Sequence, residues 1–122
     1  MWTEQGRGYF TVNTPGTKAL VGFPPAKAIQ IGQVTLQTSN EFAVVFLSSL
    51  VPGKDIAHAD KLLLTAMARA RNTGMEYNNE KTELLAIGTS PILIEPVKIS
   101  VTINRKEKPM VTVLDHVGRK TT

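Results

Sequence analysis

Apolar and polar residues alternate along much of the chain, and a period of two residues is typical of half-buried β-strands. The clearest alternation runs through residues 97–104, where one face carries Val97, Ile99, Val101 and Ile103. Residues 29–38 alternate as well, with a break in phase near Gly32. That break indicates a turn or a bulge between two short strands.

Five further segments carry strand signals. Residues 9–13 and 18–23 are rich in β-branched and aromatic residues, and a turn sequence with proline and glycine separates them. Residues 42–50 are apolar on both faces, which predicts a central strand. Residues 91–96 are bracketed by prolines, as is typical of a sheet edge, and residues 110–114 are predicted to form the last strand.

The segment 60–71 has two interpretations. Its leucines and alanines favour a helix that begins at Asp60, whereas its alternation favours a strand with Arg69 and Arg71 on one face. We interpret it as a strand, because both neighbouring segments are strand-like. The residues that follow, 71–82, have the composition of a long loop.

About eight short strands separated by turns predict an all-β fold, an antiparallel β-sandwich that forms one module over residues 1–122. A chain of 122 residues buries about two thirds of its surface on folding, which is enough for one core. No apolar run has the length of a membrane span. Cysteine is absent, so disulfides and thiolate metal sites are excluded.

Candidate chemistry is sparse. Glu76 and Glu80 share the predicted loop and are the one pair of carboxylates worth considering as a catalytic dyad, yet nothing else supports that role. His58 and His116 lie far apart without a second ligand at metal-binding spacing, so no cofactor is predicted. A structural calcium ion leaves no motif in sandwich loops and is not predictable here.

The net charge of +4 permits polyanion binding. The basic residues are scattered, however, and no aromatic motif accompanies them, which makes a nucleic acid an improbable partner. Among the basic residues, Arg69 and Arg71 are singled out because both are predicted to lie on the same face of one strand. They are predicted either to pair with Glu76, Glu80 or Glu83 or to form a polar binding surface.

Flat aromatic side chains are candidate platforms for sugar rings, because one face of a pyranose is apolar. Trp2 lies near the start of the chain and Tyr77 in the predicted loop, so we expect both to be accessible. The predicted carbohydrate-binding residues are therefore Trp2, Tyr77, Arg69 and Arg71.

Four blocks of the sequence together resemble a known family. They are residues 8–15 with 19–23, residues 91–97, residues 113–119 and the most distinctive block, Thr65-Ala66-Met67-Ala68-Arg69-Ala70-Arg71-Asn72-Thr73-Gly74-Met75. These blocks resemble the C-terminal β-sandwich accessory domain that follows the (β/α)8 catalytic barrel of a group of bacterial glycoside hydrolases. The family pattern often has other residue types at the positions of Gly16 and Arg71.

The resemblance implies a module without catalytic residues, since the catalytic carboxylates of such enzymes belong to the barrel. It implies polysaccharide and the barrel of the parent chain as partners. It also implies an extracellular location, although this chain shows no signal peptide. Met1 followed directly by Trp2 is then expected to mark a module excised from a larger glycoside hydrolase.

Three functions stay open at this point. The module binds polysaccharide, or it is purely structural and braces the barrel, or it binds polyanions through its basic residues. An apolar patch left exposed on the module would favour the structural role. A free-standing enzyme is disfavoured, because no coherent acid and base pair is present.

Overall fold

The computed structural model of the chain describes residues 8–121, and strands are the only regular elements in that range. All registered pairs are antiparallel, which confirms the predicted all-β fold. The expected number of about eight strands is too low. Eleven strands form: β1 Tyr9–Asn13, β2 Thr17–Gly22, β3 Ile29–Ile31, β4 Val34–Thr38, β5 Ala43–Ser49, β6 Leu62–Met67, β7 Ala70–Thr73, β8 Glu76–Tyr77, β9 Leu84–Ala86, β10 Thr89–Ile94 and β11 Ile99–Ile103.

A four-stranded sheet has the order β1-β2-β5-β6, and β5 lies inside it as its apolar pattern predicts. Leu20 of β2 faces Val45 of β5, which in turn faces Ala66 of β6. Strand β6 also settles the ambiguity of residues 60–71 in favour of the strand. The predicted single strand is interrupted before Arg69, and β7 begins at Ala70.

A second sheet of three strands has the order β11-β4-β3. Strands β3 and β4 form a tight hairpin around Gly32, whose φ of 60° confirms the turn predicted from the break in phase. The core lies between this sheet and the four-stranded one. Its fully buried side chains are Leu20, Val34, Leu36, Val45 and Ile56.

Two short ribbons complete the fold, β7 with β10 and β8 with β9. They correct the prediction that residues 71–82 form one irregular loop. The strands there are short and mostly exposed, so their polar composition is similar to that of a loop. Gly88 precedes β10 with a φ of 77°, and a Cβ atom there would lie 2.5 Å from the Thr73 carbonyl oxygen.

The predicted last strand at residues 110–114 does not form. Within the described chain, Leu114 makes one isolated bridge to Lys120, and β11 pairs with β4 rather than with this segment. Asp115 accounts for the difference. Its carboxylate accepts hydrogen bonds from the N–H groups of Val117 and Arg119, which turns the chain back on itself.

Replacement of Leu36 tests the position of the core. Leu36 is 1% exposed, and we expect Leu36→Ala to lower the free energy of unfolding by about 2–5 kcal/mol, because a cavity remains between the sheets. Leu85 is 61% exposed, and Leu85→Ala is the matched control with an expected change within about 0.5 kcal/mol. Urea denaturation measures both. Equal losses of unfolding free energy in Leu36→Ala and Leu85→Ala would contradict this position of the core.

Replacement of Gly88 tests the packing of β7 against β10. Gly74 and Gly88 have φ values of 76° and 77°, so alanine carries the same backbone strain, about 1–2 kcal/mol, at either position. Gly74 has open space where the methyl group would go, whereas Gly88 has the Met75 nitrogen at 2.7 Å. We expect Gly88→Ala to destabilise the chain by an additional ~1–3 kcal/mol in thermal unfolding. Equal melting temperatures would contradict this close approach.

Candidate functional site

A groove of about 460 Å³ lies on one face of the ribbon formed by β7 and β10. Arg71 of β7 stands directly opposite Leu93 of β10, and the backbone N–H of Glu95 donates to the carbonyl oxygen of Arg69 two pairs further along. Residues two apart on a strand share a face, so Arg69 and Arg71 both line the groove, as their spacing predicts. Met75 and Lys81 line it from the β7–β8 turn and the β8–β9 turn.

Arg69 is held in place by two carboxylates. Its Nε donates to Glu95 Oε2 at 2.9 Å, and one terminal nitrogen lies 3.4 Å from Glu41 Oε2. The partners expected from the sequence, Glu76, Glu80 and Glu83, are therefore not the ones that Arg69 contacts. The hydrogen bond from Arg69 is the main cause that lowers the pKa of Glu95, and a second hydrogen bond from Asn40 adds to it. The same contact raises the pKa of Arg69.

Arg71 has a different environment. Its guanidinium carbon lies 5.2 Å from the centroid of the Tyr77 ring, a distance at which a cation is attracted to the π-face. Within residues 8–121, Arg71 makes no ion pair with a carboxylate. The contact brings two sequence-predicted residues together, and it occupies one face of an aromatic ring that is 38% exposed.

Lys81 is a groove residue that sequence reasoning missed. It has a φ of 57°, the left-handed conformation that non-glycine residues seldom adopt. Asn78 holds this turn, because its side-chain oxygen accepts the N–H groups of Thr82 and Glu83 and its carbonyl accepts the N–H of Lys81. The pair Asn78-Asn79 was the available signal, since asparagine favours such turns.

The remaining predicted residues do not join this site. Trp2 lies outside the described residues. Glu76 and Glu80 are exposed and do not line the groove, so their arrangement offers nothing to the idea of a catalytic dyad. In the part of the chain that the structure covers, no three histidine, aspartate or glutamate side chains cluster as metal ligands would.

Asp55 and His58 form a separate local contact. The Asp55 carboxylate lies 2.6 Å from His58 Nδ1 and also accepts the backbone N–H of the same residue at 2.9 Å. The hydrogen bond with the His58 side chain is the main cause that lowers the pKa of Asp55. Arg105 anchors the same loop by donating to the carbonyl oxygens of Ile56 and Ala59. These contacts fix a loop and form no reactive pair.

A second candidate surface is the side of the four-stranded sheet that faces away from the core, called here the outer face. The pairing register gives it three cross-strand rows, and none of the described side chains in these rows is charged. Among its large apolar side chains, Phe10 is 47% exposed, Phe46 39% and Met67 53%. The rows are Phe10-Val21-Val44-Met67, Val12-Ala19-Phe46-Thr65 and Thr17-Ser48-Leu63.

Comparisons with family models, with curated proteins and with solved structures find no match to this chain. Over the described residues, no helix has the length and apolar character required to cross a bilayer.

The ion pair between Arg69 and Glu95 predicts a pH dependence of stability. A carboxylate whose pKa is lowered on folding stabilises the folded state above its ordinary pKa, about 4.3, and loses that contribution as the pH falls through the lowered value. We therefore expect Glu95→Gln to have a lower melting temperature than the unmodified chain at about pH 7.

At about pH 3 this difference should be narrower, because the unmodified chain progressively loses the charge on Glu95 as the pH falls through the lowered pKa. Glu80→Gln removes the same charge from an exposed position and is the control, with no such narrowing expected. Thermal unfolding followed by circular dichroism at both pH values measures the effect. If the melting temperatures of the Glu95→Gln chain and the unmodified chain differ by the same amount at both pH values, the stabilising role of the Arg69–Glu95 ion pair is contradicted.

Proposed function

We propose that this chain is a non-catalytic accessory β-sandwich of a polysaccharide-degrading glycoside hydrolase, and that its outer face docks on the catalytic barrel. The observation that carries the proposal is the uncharged outer face, with Phe10, Phe46 and Met67 about half exposed on it. A contiguous apolar face of this kind is typical of an interaction surface. It matches the feature expected of a module that braces a barrel.

The size of the outer face favours a domain of the same protein as its partner. Four strands at about 4.8 Å spacing and about five residues at 3.4 Å each give a face of roughly 19 by 17 Å. Covering it buries on the order of 600 Å² in total, as in contacts between domains of one chain. A stable complex of two separate proteins needs about 1,200 Å² or more, which argues against a second copy.

The proposed partner and the proposed compartment rest on the family resemblance. The blocks around residues 65–75 and 91–97 resemble the sandwich that follows a (β/α)8 barrel, so the proposed partner is that barrel. The parent enzyme acts on polysaccharide outside the cell in this proposal. The chain contributes no catalytic group, and the carboxylates that cleave the glycosidic bond belong to the barrel.

Carbohydrate binding is a second candidate function, and a different surface favours it. The groove is lined by Arg71 and the apolar side chain of Leu93, and the Tyr77 ring contacts Arg71 beside it. Together they form a mixture of aromatic, cationic and apolar groups suited to a sugar. Arg69 contributes little to such binding, because its charge is already neutralised by Glu41 and Glu95. The third function, general polyanion binding, would use the same cations of the groove, Arg71 and Lys81, and differs from sugar binding in its steep dependence on salt.

The docking proposal is tested with a barrel of the resembled enzyme group from which the C-terminal sandwich has been removed. We expect the chain to bind this barrel weakly, because the outer face is smaller than a standard interface between two separate proteins, so isothermal titration calorimetry is carried out at high protein concentration. Phe46→Gln should weaken binding severalfold, because docking buries the exposed 39% of this aromatic side chain and would remove the glutamine amide from water.

Leu85→Gln is the control for this test, because Leu85 is even more exposed but lies off the outer face. It should bind the barrel as the unmodified chain does. Absence of binding by a folded chain contradicts the proposal. Concentration-dependent dimerisation that Phe46→Gln abolishes would identify a second copy as the occupant instead.

A further inference from the structure

The charges that line the groove are unbalanced. Three cations, Arg69, Arg71 and Lys81, face one carboxylate, Glu95. Glu95 and Glu41 both contact Arg69, so they neutralise that guanidinium and leave the other two cations uncompensated. Within residues 8–121, the side chains of Arg71 and Lys81 make neither an ion pair nor a hydrogen bond.

Arg71 is already positioned for an anion. Its contact with the Tyr77 ring restricts the guanidinium, and the N–H donors in the guanidinium plane remain without protein acceptors. A guanidinium in this state binds a carboxylate with two parallel hydrogen bonds. Because the ring holds the guanidinium before a ligand arrives, less side-chain entropy is lost on binding.

Lys81 lines the same groove, although its backbone conformation is an unfavourable one for lysine. A lysine residue in the left-handed region has a backbone energy cost that a glycine residue would avoid. The hydrogen bonds of the Asn78 turn would form equally well with glycine at position 81. The side chain is therefore the feature that distinguishes this position. Its ammonium group belongs to the same groove as Arg71 and would bind a second oxygen of the same anionic group or of its neighbour.

Apolar side chains also line the groove. Met75, Leu93 and Ile94 line it together with the two cations, so a ligand meets both hydrocarbon and positive charge. An acidic sugar residue combines the matching features, an apolar ring face and one carboxylate. A polyphosphate chain lacks the apolar face, and a nucleic acid would require more than one exposed aromatic ring for stacking.

We infer that the groove is a subsite for an acidic sugar residue, a uronate of a polysaccharide, whose carboxylate is bound by Arg71 and Lys81. The inference rests on the carbohydrate-binding candidate above and adds the class of sugar. The open groove accepts an internal residue of a polymer, since the β7–β10 ribbon does not enclose it.

The experiment compares two polymers with the same backbone. Polygalacturonate carries a carboxylate on each residue, and its fully methyl-esterified form carries none. Affinity electrophoresis of the whole chain in about 50 mM salt should show strong retardation by polygalacturonate and at least tenfold weaker retardation by the ester. Dextran sulfate and a single-stranded oligothymidine serve as polyanions without a uronate.

Charge-neutral variants locate the site. We expect Arg71→Gln to weaken the affinity for polygalacturonate about tenfold or more, and Lys81→Gln to weaken it several-fold. Lys27→Gln removes the same charge at an exposed position outside the groove, and its affinity should stay within about twofold. Arg71→Lys keeps the charge and loses the fork, so an intermediate affinity is expected. Melting temperatures establish that each variant is folded.

The outcomes separate this inference from the carbohydrate-binding candidate. Equal binding of polygalacturonate and its ester, lost in Tyr77→Ala, supports carbohydrate binding and overturns the uronate class. Equal binding of all polyanions, with Lys27→Gln as damaging as Arg71→Gln, overturns the inference in favour of general polyanion binding. Binding of no polymer by the folded chain overturns both.

Discussion

The contact between the two sheets is the interaction on which the other features depend. Leu20 and Val45 from the four-stranded sheet meet Val34 and Leu36 from the three-stranded sheet, and these side chains are nearly inaccessible to solvent. A sheet in such a packing buries one face only. Strand β5 is apolar on both faces, so its core-facing residues are covered while Phe46 on the other side stays half exposed. The core covers only one of the two apolar faces of β5. The other apolar face of this strand therefore becomes part of the outer face.

The β7–β10 ribbon extends beyond this core, and polar contacts rather than apolar burial hold it in place. Every residue of β10 is exposed. Arg69 links the ribbon to the segment before β5 through Glu41, and Asn40 joins the same network through the Glu95 side chain and the carbonyl oxygen of Pro96. Such contacts at the surface contribute modest stability. Their larger effect is positional, because they fix the groove-lining face of the ribbon relative to the sheet.

The sequence was sufficient for the fold class and for most of the strands, because alternation is a local property. Residues 97–104 and the turn at Gly32 illustrate this success. Alternation failed at residues 110–114, because it does not show where the chain turns: the Asp115 carboxylate accepts the N–H groups of Val117 and Arg119 and directs this segment back on itself. For the site, spacing placed Arg69 and Arg71 on one face. It could not identify Glu41 and Glu95 as the partners of Arg69, which are 28 and 26 residues away in the chain.

The two candidate surfaces adjoin each other along the chain. Met67 ends the first row of the outer face, and Arg69, two residues later, begins the groove. Two residues of extended chain span about 7 Å, so a domain docked on the outer face would stand beside the mouth of the groove. Arg69 then has a further significance, because its bonds to Glu41 and Glu95 hold these surfaces in one arrangement. In that arrangement, a polysaccharide residue bound by Arg71 would lie next to a barrel docked on the outer face. One polymer chain could then contact both domains.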